Sequence, residues 1–561
     1  MTDSQDDRRP LIPPKKPRGG VYGATRDDSF DVERDLPTDG SVTPVDSCSD
    51  DGQGKDVDSV KQGQKFRDIW VLCLGLFSAT FCSALGATVV SNLQIEIGSY
   101  FRAGSVASWL GTAYLLGLTA MTPLYGRFCT VFGQKRTMLL ALGLFFVGTL
   151  ACAVAPSMLF ILVARAIAGA GAGGIMTVTA IIISDLVSLA DRGLYQGMVN
   201  VLFGSGAASG AVIGGALADK YGWRMAFWIQ VPPLLIAAFL IVLKVHVKHH
   251  RGEDSTWTKF KRIDWAGSFV LMSSISSLSI GASLTTTSGY PLTHPLVSGL
   301  FLLSLSTLPL FVWIERRAKE PILPLSVLSR FQPRIVLIAF MLTTMTNFSR
   351  MFMQPVYLHV SRGLNGRETG LLLLPGSIFG SATSLYAGWH MRRFKEYKWF
   401  VVSVSVIPSL QALSIMTNWG IDTNVHRLWV EMTIGQMGGG AVLTALLVAL
   451  IAVVDKSELS LAIAAAYLFR AIGQVIGVAI AASIQQSILS TQLLRRLQDQ
   501  PADLIRAIIQ EPATVIPGLE PTVKLQARMA YLRSVEGVFG FVTATGICLT
   551  MACLCIRAKR L

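Results

Sequence analysis

The sequence predicts an all-α integral membrane protein of fourteen spans, arranged as two six-helix bundles with two extra central helices between them. Three observations lead there. Hydrophobic residues make up 51% of the 561 and charged residues only 15%, where a soluble chain carries roughly a quarter. Apolar runs of bilayer-crossing length, about 20 residues, recur from Trp70 almost to the C-terminus. Related glycine-rich segments then stand at matching places in the first six runs and the last six, as in a transporter built from two repeats around a midplane site.

Residues 1–66 contain no apolar run and carry 14 acidic against 10 basic side chains, so a disordered cytoplasmic tail is expected there. Spans are expected near 69–93, 106–126, 137–155, 158–186, 196–218, 225–245, 264–285, 294–315, 335–358, 369–391, 398–417, 428–453, 460–484 and 535–556. The chain thus divides into an N-terminal bundle at 67–245, two linker spans within 246–334 and a C-terminal bundle at 335–561. The last contains a long polar loop, 486–533, with an amphipathic stretch from Leu493 to Ile509. Lys and Arg gather in alternate loops, among them Lys135, Arg136, Lys259, Arg316, Arg392 and Arg393, which puts both termini in the cytoplasm. The first tens of residues hold no apolar run of the kind a secretory signal needs.

The net charge of +14 combines the mildly acidic tail with a body of about +18. Those basic residues sit in loops, where they set topology and meet anionic lipid, so the bilayer is the expected partner and nucleic acid is not. The eight cysteines show no ligand spacing. No metal, cofactor or catalytic group is expected, and the chain is not read as an enzyme. Gly169-x-Gly171-x-x-Gly174 fits a dinucleotide fingerprint, but it lies inside a span with no strand before it.

The repeat is clearest in spans 4 and 12. Arg165-Ala-Ile-Ala-Gly169-Ala-Gly171-Ala-Gly173-Gly174 and Glu431-Met-Thr-Ile-Gly435-Gln-Met-Gly438-Gly439-Gly440 share the spacing from charge to glycine. Residues 126–136, GRFCTVFGQKR, resemble the loop 2–3 signature of the major facilitator superfamily, G-x-L-x-D-x-x-G-R-R. Arg165 with Gly169 resembles its span 4 motif. Gly206-x-x-x-Gly210-Ala211-x-x-Gly214-Gly215 resembles its span 5 antiporter motif, G-x-x-x-G-P-x-x-G-G. Trp223-Arg224-x-Ala-Phe227-Trp228 and Arg262-x-Asp264-x-x-Gly267 look like the fourteen-span drug:proton antiporter branch. GSATSLYAGWHMRRFKEY from Gly380 and AAAYLFRAIGQVIGVAI from Ala464 are similar to fungal vacuolar basic amino-acid transporters, a group that also holds multidrug exporters. The resemblance covers 66–561.

It implies a major facilitator fold that works by alternating access. In that family the first and fourth helices of each half, here spans 1, 4, 9 and 12, line the cavity. Loop 2–3, with Gly126, Gly133, Lys135 and Arg136, acts as a cytoplasmic latch against an acid beyond span 4, here Asp185 or Asp191. The span 5 glycines, Gly206, Gly210, Gly214 and Gly215, lie where the halves meet. Three family residues are replaced: the loop aspartate by Thr130, the span 5 proline by Ala211, and the span 1 aspartate of A-L-D-x-T by Gly86.

Ionisable groups inside apolar spans are costly and default to function. Here they are Arg165, Arg350, Glu431 and Arg470, with Asn347 as a polar neighbour. Two arginines and a glutamate suit a zwitterion: a guanidinium fork for its carboxylate, Glu431 for its cation and for the proton. Plainer readings stand beside these. Arg350 would snorkel to the headgroups, Arg165 would be a structural hydrogen-bond hub, Arg470 a helix–helix contact, Glu431 an interfacial residue, and Asn347 an interhelical bonder.

The expected function is proton-coupled transport of a small molecule, an amino acid and foremost a basic one, across the vacuolar membrane. The alternatives are drug or toxic-metabolite efflux at the plasma membrane, and a nutrient sensor that binds without transport. Asp7, Leu11 and Ile12 have the form of an acidic dileucine signal for a sorting adaptor, in keeping with a vacuolar address.

Overall fold

The computed structural model describes residues 53–103, 106–107, 109–244, 264–286, 290, 293–318, 321, 325–364, 366–510 and 512–558. Asp7, Leu11 and Ile12 fall outside them. The chain forms two units, Met1–Lys61 and Gln62–Leu561, and every interface below lies in the second.

Among the described residues fourteen long helices follow one another. The first six are α1 (Gln53–Tyr100), α2 (Trp109–Phe132), α3 (Gln134–Ala153), α4 (Met158–Leu186), α5 (Leu189–Tyr221) and α6 (Val231–Lys244). Two linker helices follow, α7 (Trp265–Thr286) and α8 (Pro295–Glu315). The last six are α9 (Phe331–Val356), α10 (Gly366–Phe394), α11 (Lys398–Asn418), α12 (Val425–Val453), α13 (Leu459–Arg496) and α14 (Pro521–Leu554). Twelve of them, α6 taken together with the short helix Met225–Trp228 before it, are long and apolar enough to cross a membrane by length and composition. The other two, α2 and α5, are rich in Gly, Ala, Ser and Thr, which lower hydropathy but let backbones approach closely.

Local chemistry sets the breaks. Ser157 and Asn424 cap α4 and α12, their side-chain oxygens accepting from Phe160 N at 3.3 Å and His426 N at 2.9 Å. Gly133 and Gly222 both adopt φ 84°, a left-handed turn that other residues take only with strain.

The repeat read from sequence reappears in the packing. In the first half α4 lies between α2 and α3, with Gly169 on the Tyr114 backbone and Gly171 on Phe145. In the second, α12 lies between α10 and α11, with Gly440 on the Gly380 backbone and Gly438 on Pro408. Gly206, Gly210 and Gly214 seat α5 on Phe81, Leu85 and Val89 of α1, while Gly473 and Gly477 seat α13 on Met341 and Met345 of α9. The linker helix α7 leans on α2, where Thr112 and Ser283 hydroxyls meet at 2.9 Å.

Two expectations need correction. Residues 53–66, read as part of a disordered tail, are helical and continuous with α1. Extending an existing helix adds one hydrogen bond per residue fixed, so polar residues can join without an apolar run. The 486–533 loop is largely helical: α13 runs to Arg496, a helix spans Ala502–Gln510, and α14 starts at Pro521. Its amphipathic stretch buries Leu493, Ile505 and Ile508 against Val360 and Tyr531. The sixth span, Met225–Leu243, falls where it is expected, with an irregular step between the short helix Met225–Trp228 and α6, where Pro232 and Pro233 interrupt full backbone bonding.

Candidate functional site

Two buried arginines, one in each half, define the polar interior. Arg165 of α4 is 2% exposed. Its Nη1 donates to the Gly86 carbonyl at 2.9 Å and its Nε to the Leu110 carbonyl at 3.2 Å. The guanidinium lies 4.2 Å from the Tyr114 ring centroid, a cation–π contact, and the Tyr114 hydroxyl donates to the Ser83 carbonyl at 2.9 Å. Nη2 is buried with no hydrogen-bond partner. Thus Gly86, where many proton-coupled relatives are expected to carry aspartate, offers its backbone carbonyl to Arg165 and no side chain. Phe145 and Gln230 fill the space above it, each 3.0 Å from where a Cβ would stand.

Arg350 of α9 is 0% exposed and bonded by amides alone. Nη2 donates to Gln436 Oε1 at 2.9 Å and Asn347 Oδ1 at 3.0 Å, and Nη1 to Gln411 Oε1 at 3.4 Å. Gly435 and Gly439 of α12 make the room: a side chain at 435 would enter the guanidinium, and one at 439 the Asn347 amide. Arg350 Nε is buried without a partner. A guanidinium at this depth costs several kcal/mol unless paired, and here no carboxylate among the described residues pairs with it.

Glu431 lies one turn outward from Gly435 on α12 and is 14% exposed. Arg427 Nε is 2.8 Å from its Oε1, Ser414 Oγ donates to the same oxygen at 2.9 Å, and Trp419 Nε1 donates to Oε2 at 2.6 Å. The structure therefore stacks two layers on the α11–α12 seam, Arg350 with Gln411 below and Glu431 with Ser414 above. It brings Asn347 to Arg350 and keeps Glu431 with Arg427. Arg470 of α13 lies apart from both, its guanidinium 4.8 Å from the Tyr467 ring centroid.

The loop 2–3 segment makes its own contacts. Gln134 donates to Asp185 at the end of α4. Lys135 Nζ donates to the Val242 carbonyl at 2.7 Å, in the last turn of α6, where a cation meets the negative helix end. Thr130 Oγ1 turns back to the Arg127 carbonyl at 2.8 Å. Arg136 and Gly215 stand in α3 and α5.

The halves meet at the ends of α5 and α10 that adjoin the basic loops. Gly193 packs backbone to backbone on Gly388, Gly197 rests on Ser384 and Leu385, and Gly126 of α2 meets Ala464 of α13. Asn200 Nδ2 donates across to Ser384 Oγ at 2.7 Å and Thr444 Oγ1 at 3.1 Å. The seam is thus made by Gly193, Gly197 and Asn200, while the motif glycines Gly206, Gly210 and Gly214 pack within the first half. Sequence reasoning weighed charges and passed over Gln411, Gln436 and Asn200. Applying the same rule to neutral amides inside apolar spans would have found them.

Among the described residues no group of His, Cys, Asp or Glu is placed to hold a metal ion. The sequence profile of the Major Facilitator Superfamily matches residues 76–478. The chain is 32% identical, over 84% of its length and 90% of the relative, to the Multidrug resistance protein fnx1 of Schizosaccharomyces pombe. It is 31% identical to that organism's Vacuolar membrane amino acid uptake transporter fnx2, over 85% and 82% of the two chains. It is 28% identical to the Vacuolar basic amino acid transporter 1 of Saccharomyces cerevisiae, over 76% and 79%.

Proposed function

The chain belongs to the major facilitator superfamily, and from that premise we propose that it carries amino acids, basic ones foremost, across the vacuolar membrane in exchange for protons. It is a multi-pass membrane transporter, not an enzyme. The observation that carries the proposal is Arg350: a fully buried guanidinium held by three amides, with an Nε still unbonded and no acid among the described residues paired with it. Such a group attracts a substrate carboxylate, to which its free Nε–H can donate a charge-assisted hydrogen bond. The Gln436 and Asn347 oxygens, which take both N–H groups of Nη2, hold the guanidinium in place meanwhile. Glu431 and Trp419, one turn outward, are the proposed seat of the substrate cation and of the coupled proton. Two relatives named as vacuolar amino-acid transporters point to the same cargo.

Uptake of labelled arginine or lysine into vacuolar vesicles, driven by an acid interior, tests this. Uptake that collapses with a protonophore supports it, and none above that of vesicles lacking the protein sinks it. A second reading, efflux of drugs or toxic metabolites at the plasma membrane, is favoured by the relative named a multidrug resistance protein. Drug sensitivity on deletion without any change in vacuolar arginine would select it. Substrate-driven proton flux in liposomes separates both from a sensor that only binds.

A further inference from the structure

A cleft of about 250 Å³ lies where four helices converge, and the transport reading makes no use of it. Leu115 and Thr119 of α2, Ser279 of α7, Phe352 of α9, and Gln474 and Val478 of α13 face it. Its walls therefore come from the first half, the second half and the linker. Among the described residues none that lines it is charged. Ser279 is 9% exposed, and its hydroxyl has no hydrogen-bond partner. A hydroxyl left unmet at this depth is costly, and where it lines a cleft it marks a place for a ligand atom.

The position of Phe352 adds a second point. It stands two residues after Arg350, about 200° round the helix. Arg350 thus addresses α11 and α12 from one face of α9, while Phe352 addresses the cleft from another. The two pockets are chemically opposite. A charged amino acid entering the cleft would lose its hydration with no counter-charge to replace it. An uncharged molecule brings Arg350 no charge that its neutral amide partners lack.

We propose that this cleft is a second ligand site, for an uncharged amphiphile drawn from the bilayer: an apolar body against Leu115, Phe352 and Val478, and one hydrogen-bonding head on Ser279 and Gln474. Because α2 and α13 belong to different halves, an occupant ties them together and slows their rocking. Binding is independent of the cargo assigned above. Only the slowing rests on that reading.

The test uses the full-length protein in nanodiscs and a diazirine-bearing octanol as probe. Photolabelling should saturate, map by mass spectrometry to α2, α7 and α13, and be competed by unlabelled octanol. Ser279→Ala should raise the half-saturating concentration about fivefold, the worth of one hydrogen bond. Val478→Trp should fill the cleft and remove the saturable labelling. Labelling that never saturates, or that is unchanged in both variants, overturns the site. In proteoliposomes octanol should lower the maximal rate of arginine uptake by the wild type and spare Val478→Trp; equal inhibition of both overturns the regulatory role. The labelling needs no transport, so it tests the cleft even where arginine is not the cargo.

Discussion

Asp191 of α5 and Arg392 of α10 form a 2.8 Å ion pair that joins one half of the protein to the other. It stands just outside the Gly193–Gly388 contact, so a charge pair and a backbone contact close the same end of the seam.

The pair is half open to water, its side chains 55% and 31% exposed, and such pairs contribute about 0–1 kcal/mol. Asp191→Asn is therefore expected to leave folding unchanged and to shift the closed-to-open ratio about two- to fivefold. The rate at which a membrane-impermeant maleimide reaches a cysteine placed at Leu385 measures this. Reversing both charges, Asp191→Arg with Arg392→Asp, should restore the slow rate, and a failure to do so would assign the effect elsewhere.

Gly388 is a sharper lever. A side chain there would enter the Gly193 backbone. Gly388→Val should abolish uptake by propping this end of the seam apart, while substrate-induced thermal stabilisation persists. Loss of both together would mean that the substitution damages the fold and not the closure.

Arg350 ties stability to transport. Removing it relieves a buried charge but leaves the Asn347, Gln411 and Gln436 oxygens without their donor, at about 1–3 kcal/mol for each buried acceptor left unmet. Arg350→Met should therefore lower the thermal unfolding midpoint, while uptake efficiency per folded molecule falls about tenfold or more, the value of charge-assisted hydrogen bonds. Arg350→Lys should not rescue, because a point charge cannot span Gln411 and Gln436 as a planar fork does. Full activity in the Met variant would remove Arg350 from the substrate path.

Glu431→Gln should fold, since the amide oxygen can take the place of Oε2 and accept from Trp419 Nε1, the amide NH2 can donate to Ser414 Oγ, and Arg427 is 43% exposed and reaches water. Uptake in the variant should lose its dependence on lumenal pH while exchange of bound substrate continues. A pH profile identical to that of the wild type would exclude Glu431 as the proton carrier.

The bundle was legible because membrane helices announce themselves by run length, and the repeat because Arg165 and Glu431 stand at equal distances from their glycines. The helical stretches at 53–66 and beyond Ile484 were not, since a polar or amphipathic helix lacks that signal. The partners of Arg350 were hidden for another reason: Gln411 and Gln436 reach it from other helices, and only the fold brings them together. The partner of Glu431 was in plain view. Arg427 lies four residues before it, the spacing at which helical side chains meet.

The two buried arginines differ in what a mutation can reach. Arg165 is anchored by main-chain oxygens of Gly86 and Leu110, which every amino acid would supply alike. Arg350 is anchored by Asn347, Gln411 and Gln436, each of which one codon change can convert to another chemistry. The first half is thereby a fixed frame and the second a tunable one. On the proposed reading, in which Arg350 meets the cargo, descendants of this architecture would exchange one cargo for another by editing three amides on α9, α11 and α12, leaving the scaffold that holds Arg165 untouched.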